Sequence, residues 1–202
     1  MIGYVPRVRS YRIRRLFLIG RLCALFLLVM DDIFIADYDP SWPHLFEIEA
    51  AQIHEALGNL VLAIEHFGST AVPGLAAKPI IDILVGVPSL SESSPVLIPN
   101  LEALGYRYWC DNPDPARMFF VKGLPPNGPR THHVHIVEPH SEQWERLLFR
   151  DYLRQYPEEA ERYAQLKRDL AQQFQADREA YTAGKTEYVQ SVILKAKQKF
   201  AV

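Results

Sequence analysis

EHFGSTAVPGLAAKPIIDILVGV, residues 65–87, reads as two apolar strands joined by a loop of small residues. The second strand, PIIDILVGV, is apolar on both faces apart from Asp82, so it belongs inside a sheet rather than at an edge. Strand side chains alternate between faces. Ile81, Ile83, Val85 and Val87 therefore share one face, and Ile80, Asp82, Leu84 and Gly86 the other. A carboxylate among aliphatic neighbours is costly to bury unless a charged or hydrogen-bonding partner meets it. Amides of the turn Gly68-Ser69-Thr70 suit phosphate oxygens. A carboxylate on the adjoining strand suits Mg²⁺, which takes oxygen ligands and substrate phosphates. The plainer reading makes Asp82 a structural partner of Lys78, Arg117 or a histidine.

Outward from this stretch the chain reads as α+β. A helix is expected over residues 41–60, opened by Ser41, with Leu45, Ile48 and Leu57 at helical spacing. PVLIPNLEALG predicts a helix closed by Gly105, and YRYWC, ARMFFVK and THHVHIVE predict three more strands. KGLPPNGPR is a Pro/Gly loop with the composition of a mobile lid. From residue 141 the chain turns helical. One helix has Ser141 as its cap and a stripe of Trp144, Leu147, Leu148 and Tyr152. A second carries Tyr163, Leu166, Leu170 and Phe174, and a third, from Thr186, carries Val189, Val192, Ile193 and Ala196. The chain shows no internal repeat and no low-complexity tract.

In THHVHIVE, His133 and His135 fall on one face and His132 and Glu138 on the other. His133 and His135 can therefore stand beside Asp82, and a second divalent-metal reading follows: a two-histidine, one-carboxylate set carrying a water for phosphoester hydrolysis. The alternative is imidazoles that bond to nearby carboxylates or phosphates. His66 is read as orienting the Gly68 turn, and Lys78 and Arg117 as phosphate partners. Arg150, Arg154 and Lys167 are read as solvated helix charges. AGKT, residues 183–186, ends like a P-loop but has Glu179 where the first glycine is required. Gly184 is better read as a helix stop before a new helix at Thr186.

Among the 202 residues, 49% are hydrophobic and 23% charged, with a net charge of −2, values ordinary for a globular domain and without a general pull toward nucleic acid or an anionic membrane. Cys23 and Cys110 lack metal-type spacing and are read as reduced thiols of a cytoplasmic protein. RVRSYRIRRLFLIGRLCALFLLVM looks like a leader or anchor, but Arg21 interrupts its apolar run short of the roughly 20 residues that span a bilayer. No membrane partner is expected. Residues 1–29 are read as upstream sequence preceding an initiator Met30, and residues 30–202 as the domain.

The ordered motifs YDPSWPHLFEIE, IEHFGSTAVPGLAAKPIIDILVGV, GYRYW, RMFFVKG, HHVHIVE, FRDYLRQYPEEAERYAQLKRDLA and GKTEYV resemble the GrpB family, within the nucleotidyltransferase-fold superfamily. The resemblance covers about residues 33–200 and implies a nucleotidyltransferase-like mixed sheet with flanking helices and a C-terminal helical segment. It implies a protein that binds a nucleotide or another phosphate-bearing small molecule, and that moves a nucleotidyl or phosphoryl group with Mg²⁺. Related domains fused to dephospho-CoA kinases add a coenzyme A context. The superfamily pattern is Gly-Ser, then two carboxylates at alternate positions of the next strand, then a third on a later strand. Gly68, Ser69 and Asp82 match, whereas the second carboxylate position holds Leu84. Two-metal transfer needs several carboxylates, so the resemblance also implies a binding module without turnover as an alternative. On this reading Asp82, His133 and His135 are the catalytic candidates, with Asp82 and His135 on a metal. His66, Gly68, Ser69, Thr70, Lys78 and Arg117 are then the substrate-binding candidates.

Overall fold

The computed structural model describes residues 33–124 and 128–200. The reading of residues 1–29, that of Cys23, and the tip of the Pro/Gly loop at residues 125–127 lie outside the described residues. The elements run α1 (Trp42–Leu57), β1 (Ala63–Phe67), β2 (Ile81–Gly86), α2 (Leu90–Ala103), β3 (Tyr106–Tyr108), β4 (Met118–Lys122) and β5 (His132–Val137). They continue with α3 (Arg146–Gln155), α4 (Pro157–Gln173), α5 (Arg178–Ala183) and α6 (Thr186–Phe200). This is an α+β architecture around one mixed sheet of order β1-β2-β5-β4-β3. The β2–β5 pair is parallel and the other three pairs are antiparallel. β2 thus lies inside the sheet, as its doubly apolar sequence requires.

Alternation divides β2 as expected. Ile81, Ile83, Val85 and Val87 join Val134, Ile136, Phe120 and helix residues Ile53, Leu57, Leu97 and Leu101 in the main core. The opposite face carries Leu84 against Phe67, Val137, Trp144 and Leu147, and beside them Asp82. The loop leaving the Gly68 turn packs Val72, Leu75 and Ala76 against Phe149, Leu153, Tyr163 and Val192 of the C-terminal helices. Those helices therefore close over the Asp82 face of the sheet.

Several local expectations are corrected. α1 buries Trp42, Ile53 and Leu57, with Phe46 packed on the core, while Leu45 and Ile48 are exposed. The tertiary contact, not the count of apolar residues, chose the buried stripe. Ser41 offers no side-chain cap; its own N–H donates to Asp39 Oδ1 at 2.8 Å instead. α2 starts five residues before Pro95, at Leu90, because Ser89 accepts from the Glu92 N–H and caps it there. The proline at position 95 donates nothing to Ser91 O, and the Ser94 hydroxyl takes that carbonyl. α3 begins at Arg146, after a turn in which Ser141 Oγ accepts from the Trp144 N–H, and buries Phe149, Arg150 and Leu153 rather than the stripe expected from Trp144. A short helix, α5, precedes the predicted break at Gly184, and α6 starts at Thr186 as expected. No helix among the described residues is long and apolar enough to cross a membrane.

Candidate functional site

The parallel register sets Asp82 opposite His133 and Leu84 opposite His135. One ligand atom from each of Asp82, His133 and His135 lies within 4.8 Å of the others. Asp82 Oδ1 is 3.1 Å from His133 Nδ1 and 4.0 Å from His135 Nε2. The two imidazoles sit against Phe119, with ring centroids 5.1 and 4.7 Å away, and Phe67 meets His135 edge-on at 5.0 Å. This apolar wall desolvates the rings, and burial is the largest cause lowering both histidine pKa values from the usual 6.5, His135 strongly.

The tautomers follow from the partners. Arg117 Nη1 lies 3.1 Å from His135 Nδ1. Guanidinium only donates and keeps its proton, so His135 Nδ1 accepts and the ring proton resides on Nε2, facing Asp82. His133 Nδ1 donates to the Asp82 carboxylate, which leaves its Nε2 as a lone pair. That nitrogen is buried without a partner. Arg117 is itself held by Asn112 Oδ1 at 3.1 Å, and Asn112 in turn donates to Asp114 O and Arg117 O. The loop between β3 and β4 is thus a braced arm that delivers one guanidinium to His135.

Gly68 explains the close approach of the turn to the sheet. It has φ +71° and ψ −168°, and a Cβ there would lie 2.5 Å from Asp82 Oδ2. This conformation belongs almost wholly to glycine. The anion that Gly68 admits at close range is therefore Asp82 of the same chain. Ser69 bonds the buried Tyr163 hydroxyl. His66 and Thr70 are buried and bonded to each other, Nε2 to Oγ1, at 3.0 Å. By register His66 occupies the opposite face of the sheet from Asp82, and its ring stacks on Phe46. These two residues thus have the turn itself as their partner. Burial pushes the His66 pKa down to about 4.

What the sequence reading missed is the number of cations that converge here. Lys78 and Lys185 place their ammonium groups 4.5 and 4.2 Å from the ring centre of the buried Tyr181. Lys167 is buried, lies over the Tyr163 ring at 4.7 Å and donates to Ala76 O. Asp82 acts electrostatically on all three lysines and on Arg146. Arg130 and Arg178 act on His133. Desolvation is the largest cause that lowers Lys78 and Lys167 to about 7 and Lys185 to about 8, with repulsion from neighbouring cations next for Lys78 and Lys167. Lys167 and Arg150 are not solvated helix charges: both are buried. Arg150 clamps α3 to β1 through Glu65 Oε2 at 2.7 Å and His66 O at 2.8 Å. Lys167 does carry a sequence signal, since it lies four residues after Tyr163 and three before Leu170, on the apolar stripe of α4. Lys185, between two helices, carries none.

Comparison with known proteins places this geometry in a family. The chain is 50% identical over 167 residues to a UPF0157 protein of Pseudomonas aeruginosa, covering 82% of this chain and 68% of that one. It is 30% identical over 171 residues to a dephospho-CoA kinase of Mycolicibacterium paratuberculosis, covering 73% of this chain and 42% of the kinase. The crystal structure of the conserved protein GrpB from Enterococcus faecalis superposes with a TM-score of 0.74 at 36% identity, covering 84% of this chain and all of that one. The family model for the GrpB protein matches residues 32–195, and the chain belongs to the GrpB family.

Proposed function

We propose that the protein binds a nucleotide or another phosphate-bearing small molecule at the site around Asp82. One observation carries this reading: Lys78, Lys167, Lys185 and Arg146, of which Lys167 is buried and the others half-buried, all feel the Asp82 carboxylate, and Lys78 and Lys185 share the ring of Tyr181. Desolvated cations in such excess are costly unless anions meet them. Phosphate oxygens supply that charge and accept the hydrogen bonds that ammonium and guanidinium groups donate. Coenzyme A precursors belong among the compounds to try, because one relative is named as a dephospho-CoA kinase.

Transfer of a phosphoryl or nucleotidyl group is a second reading, favoured by the buried lone pair on His133 Nε2. In that reading Asp82 is the oxygen that a phosphate-borne Mg²⁺ would meet, and His133 stands beside it to accept a proton from an attacking hydroxyl. Leu84, packed among Phe67, Val137 and Trp144, supplies no second carboxylate.

A thermal-shift screen of nucleoside mono-, di- and triphosphates and coenzyme A precursors tests the binding reading, with adenosine as the unphosphorylated control. Phosphorylated compounds are expected to raise the melting temperature and adenosine is not. A screen in which no phosphate compound shifts the transition refutes it. Incubation of a stabilising nucleotide with the protein, followed by product analysis, separates transfer from binding alone.

A further inference from the structure

We infer that the Asp82 site takes its phosphate ligand without a divalent cation, its lysines and arginines neutralising the charge that a metal would otherwise hold. This rests on the binding reading given above and concerns the form in which the ligand is recognised. The three potential metal donors are close enough, but each is already engaged by a neighbour. His135 Nδ1 accepts from Arg117, so Nε2 carries the proton and has nothing to offer an ion. Asp82 Oδ1 accepts from His133 Nδ1. Asp82 Oδ2 is packed against the Gly68 backbone, where a single added carbon would lie 2.5 Å away. Of the two imidazoles only His133 keeps a free lone pair, on Nε2, and Mg²⁺ prefers oxygen, which leaves Asp82 as its one oxygen donor here.

The charge balance points the same way. Among the described residues, Asp82 is the one carboxylate that acts on Lys78, Lys167, Lys185 and Arg146 together. The position that could have held a second carboxylate is Leu84, buried at 1% exposure. Glu138, at the end of β5, is turned away and accepts from the Leu90 N–H at the start of α2. A divalent cation entering this group meets repulsion from several desolvated cations, whereas a di- or triphosphate carrying about three to four negative charges meets attraction at short range. Asp82 is then a positioning residue: it spaces the cations and fixes the His133 ring.

The test is calorimetric titration of the full chain with ATP and with inorganic pyrophosphate, once in EDTA and once in excess Mg²⁺. Both ligands are expected to bind in EDTA at least as tightly as in Mg²⁺, because free Mg²⁺ competes for the same phosphates. Lys185→Gln and Lys78→Gln are expected to weaken binding in EDTA about tenfold each, close to 1.4 kcal/mol, with folding checked by circular dichroism. Binding that appears only with Mg²⁺ overturns the metal-free inference and leaves the binding reading standing. Absence of binding in both buffers overturns the binding reading, and this inference with it.

Discussion

Gly68 and Asp82 depend on each other. The glycine adopts a conformation nearly closed to other residues, and its missing side chain is what lets Asp82 Oδ2 lie against the turn. Gly68→Ala is expected to cost about 2–3 kcal/mol, from backbone strain plus displacement of the carboxylate. Chemical denaturation measures the loss, and the His133 ring resonances should shift with it, since Asp82 holds Nδ1. A stable variant with unmoved His133 signals would show that the turn adapts freely. Asp82→Asn keeps a hydrogen-bond acceptor but removes the counter-charge from the lysines. It is expected to lower stability by about 1–2 kcal/mol, less than a fully buried broken pair because the side chain is 29% exposed. Inorganic phosphate should restore part of that loss. An equal or higher melting temperature without phosphate would rule out the counter-charge role.

At the scale of elements, the C-terminal helices do two jobs. α3 is tied to β1 by Arg150, whose guanidinium serves Glu65, the His66 carbonyl and Asp151 together. Arg150→Met is expected to destabilise by roughly 2–3 kcal/mol through lost charge-assisted bonds and a stranded buried carbonyl, measured by urea denaturation. α4 instead contributes Lys167, whose buried charge is repelled by Lys185, Arg168 and Lys78. Lys167→Met removes that repulsion at the cost of one hydrogen bond to Ala76 O. The expected outcome is a raised melting temperature with phosphate affinity weakened about tenfold. Stability and binding moving in opposite directions marks a position shaped by the ligand rather than by the core. Loss of both would instead make Lys167 a structural anchor.

The whole molecule should show the lysine cluster in its response to pH. Each of Lys78, Lys167 and Lys185 holds its proton to about pH 10.5 in the unfolded chain but releases it near 7, 7 and 8 when folded. Between those values the unfolded state binds more protons, so stability rises with pH. In phosphate-free buffer the melting temperature is therefore expected to increase from pH 7 to pH 9, opposite to the plateau of an ordinary domain. Below neutrality His66, with its usual 6.5 pushed to about 4, acts in the same direction and stability is lost as pH falls through that window. A bound phosphate compound raises the lysine pKa values again. Binding near pH 8 should accordingly take up protons, visible as a dependence of the calorimetric heat on the ionisation enthalpy of the buffer. A flat stability profile with no proton uptake would mean that the lysines are not desolvated in the folded chain.

Alternation along PIIDILVGV determined by itself that Asp82 and Leu84 share one face while Ile81, Ile83 and Val85 line the core. The same period in THHVHIVE separated His133 and His135 from His132, because strand geometry is local and repeats every two residues. The ordered motifs likewise carried the family and its mixed sheet. Only the tertiary structure decided which side chains meet at that face. The β2–β5 register joins residues 51 apart in the chain, and the turn of Arg117 onto His135 fixes a tautomer that no spacing reveals. The helices bring Arg146, Lys167 and Lys185 from remote sequence to one carboxylate. A charged residue on a helix is legible as buried only when it falls on the apolar stripe, as Lys167 does. Lys185 sits at a helix break, and its place is set by the docking of α5 and α6 rather than by any local pattern.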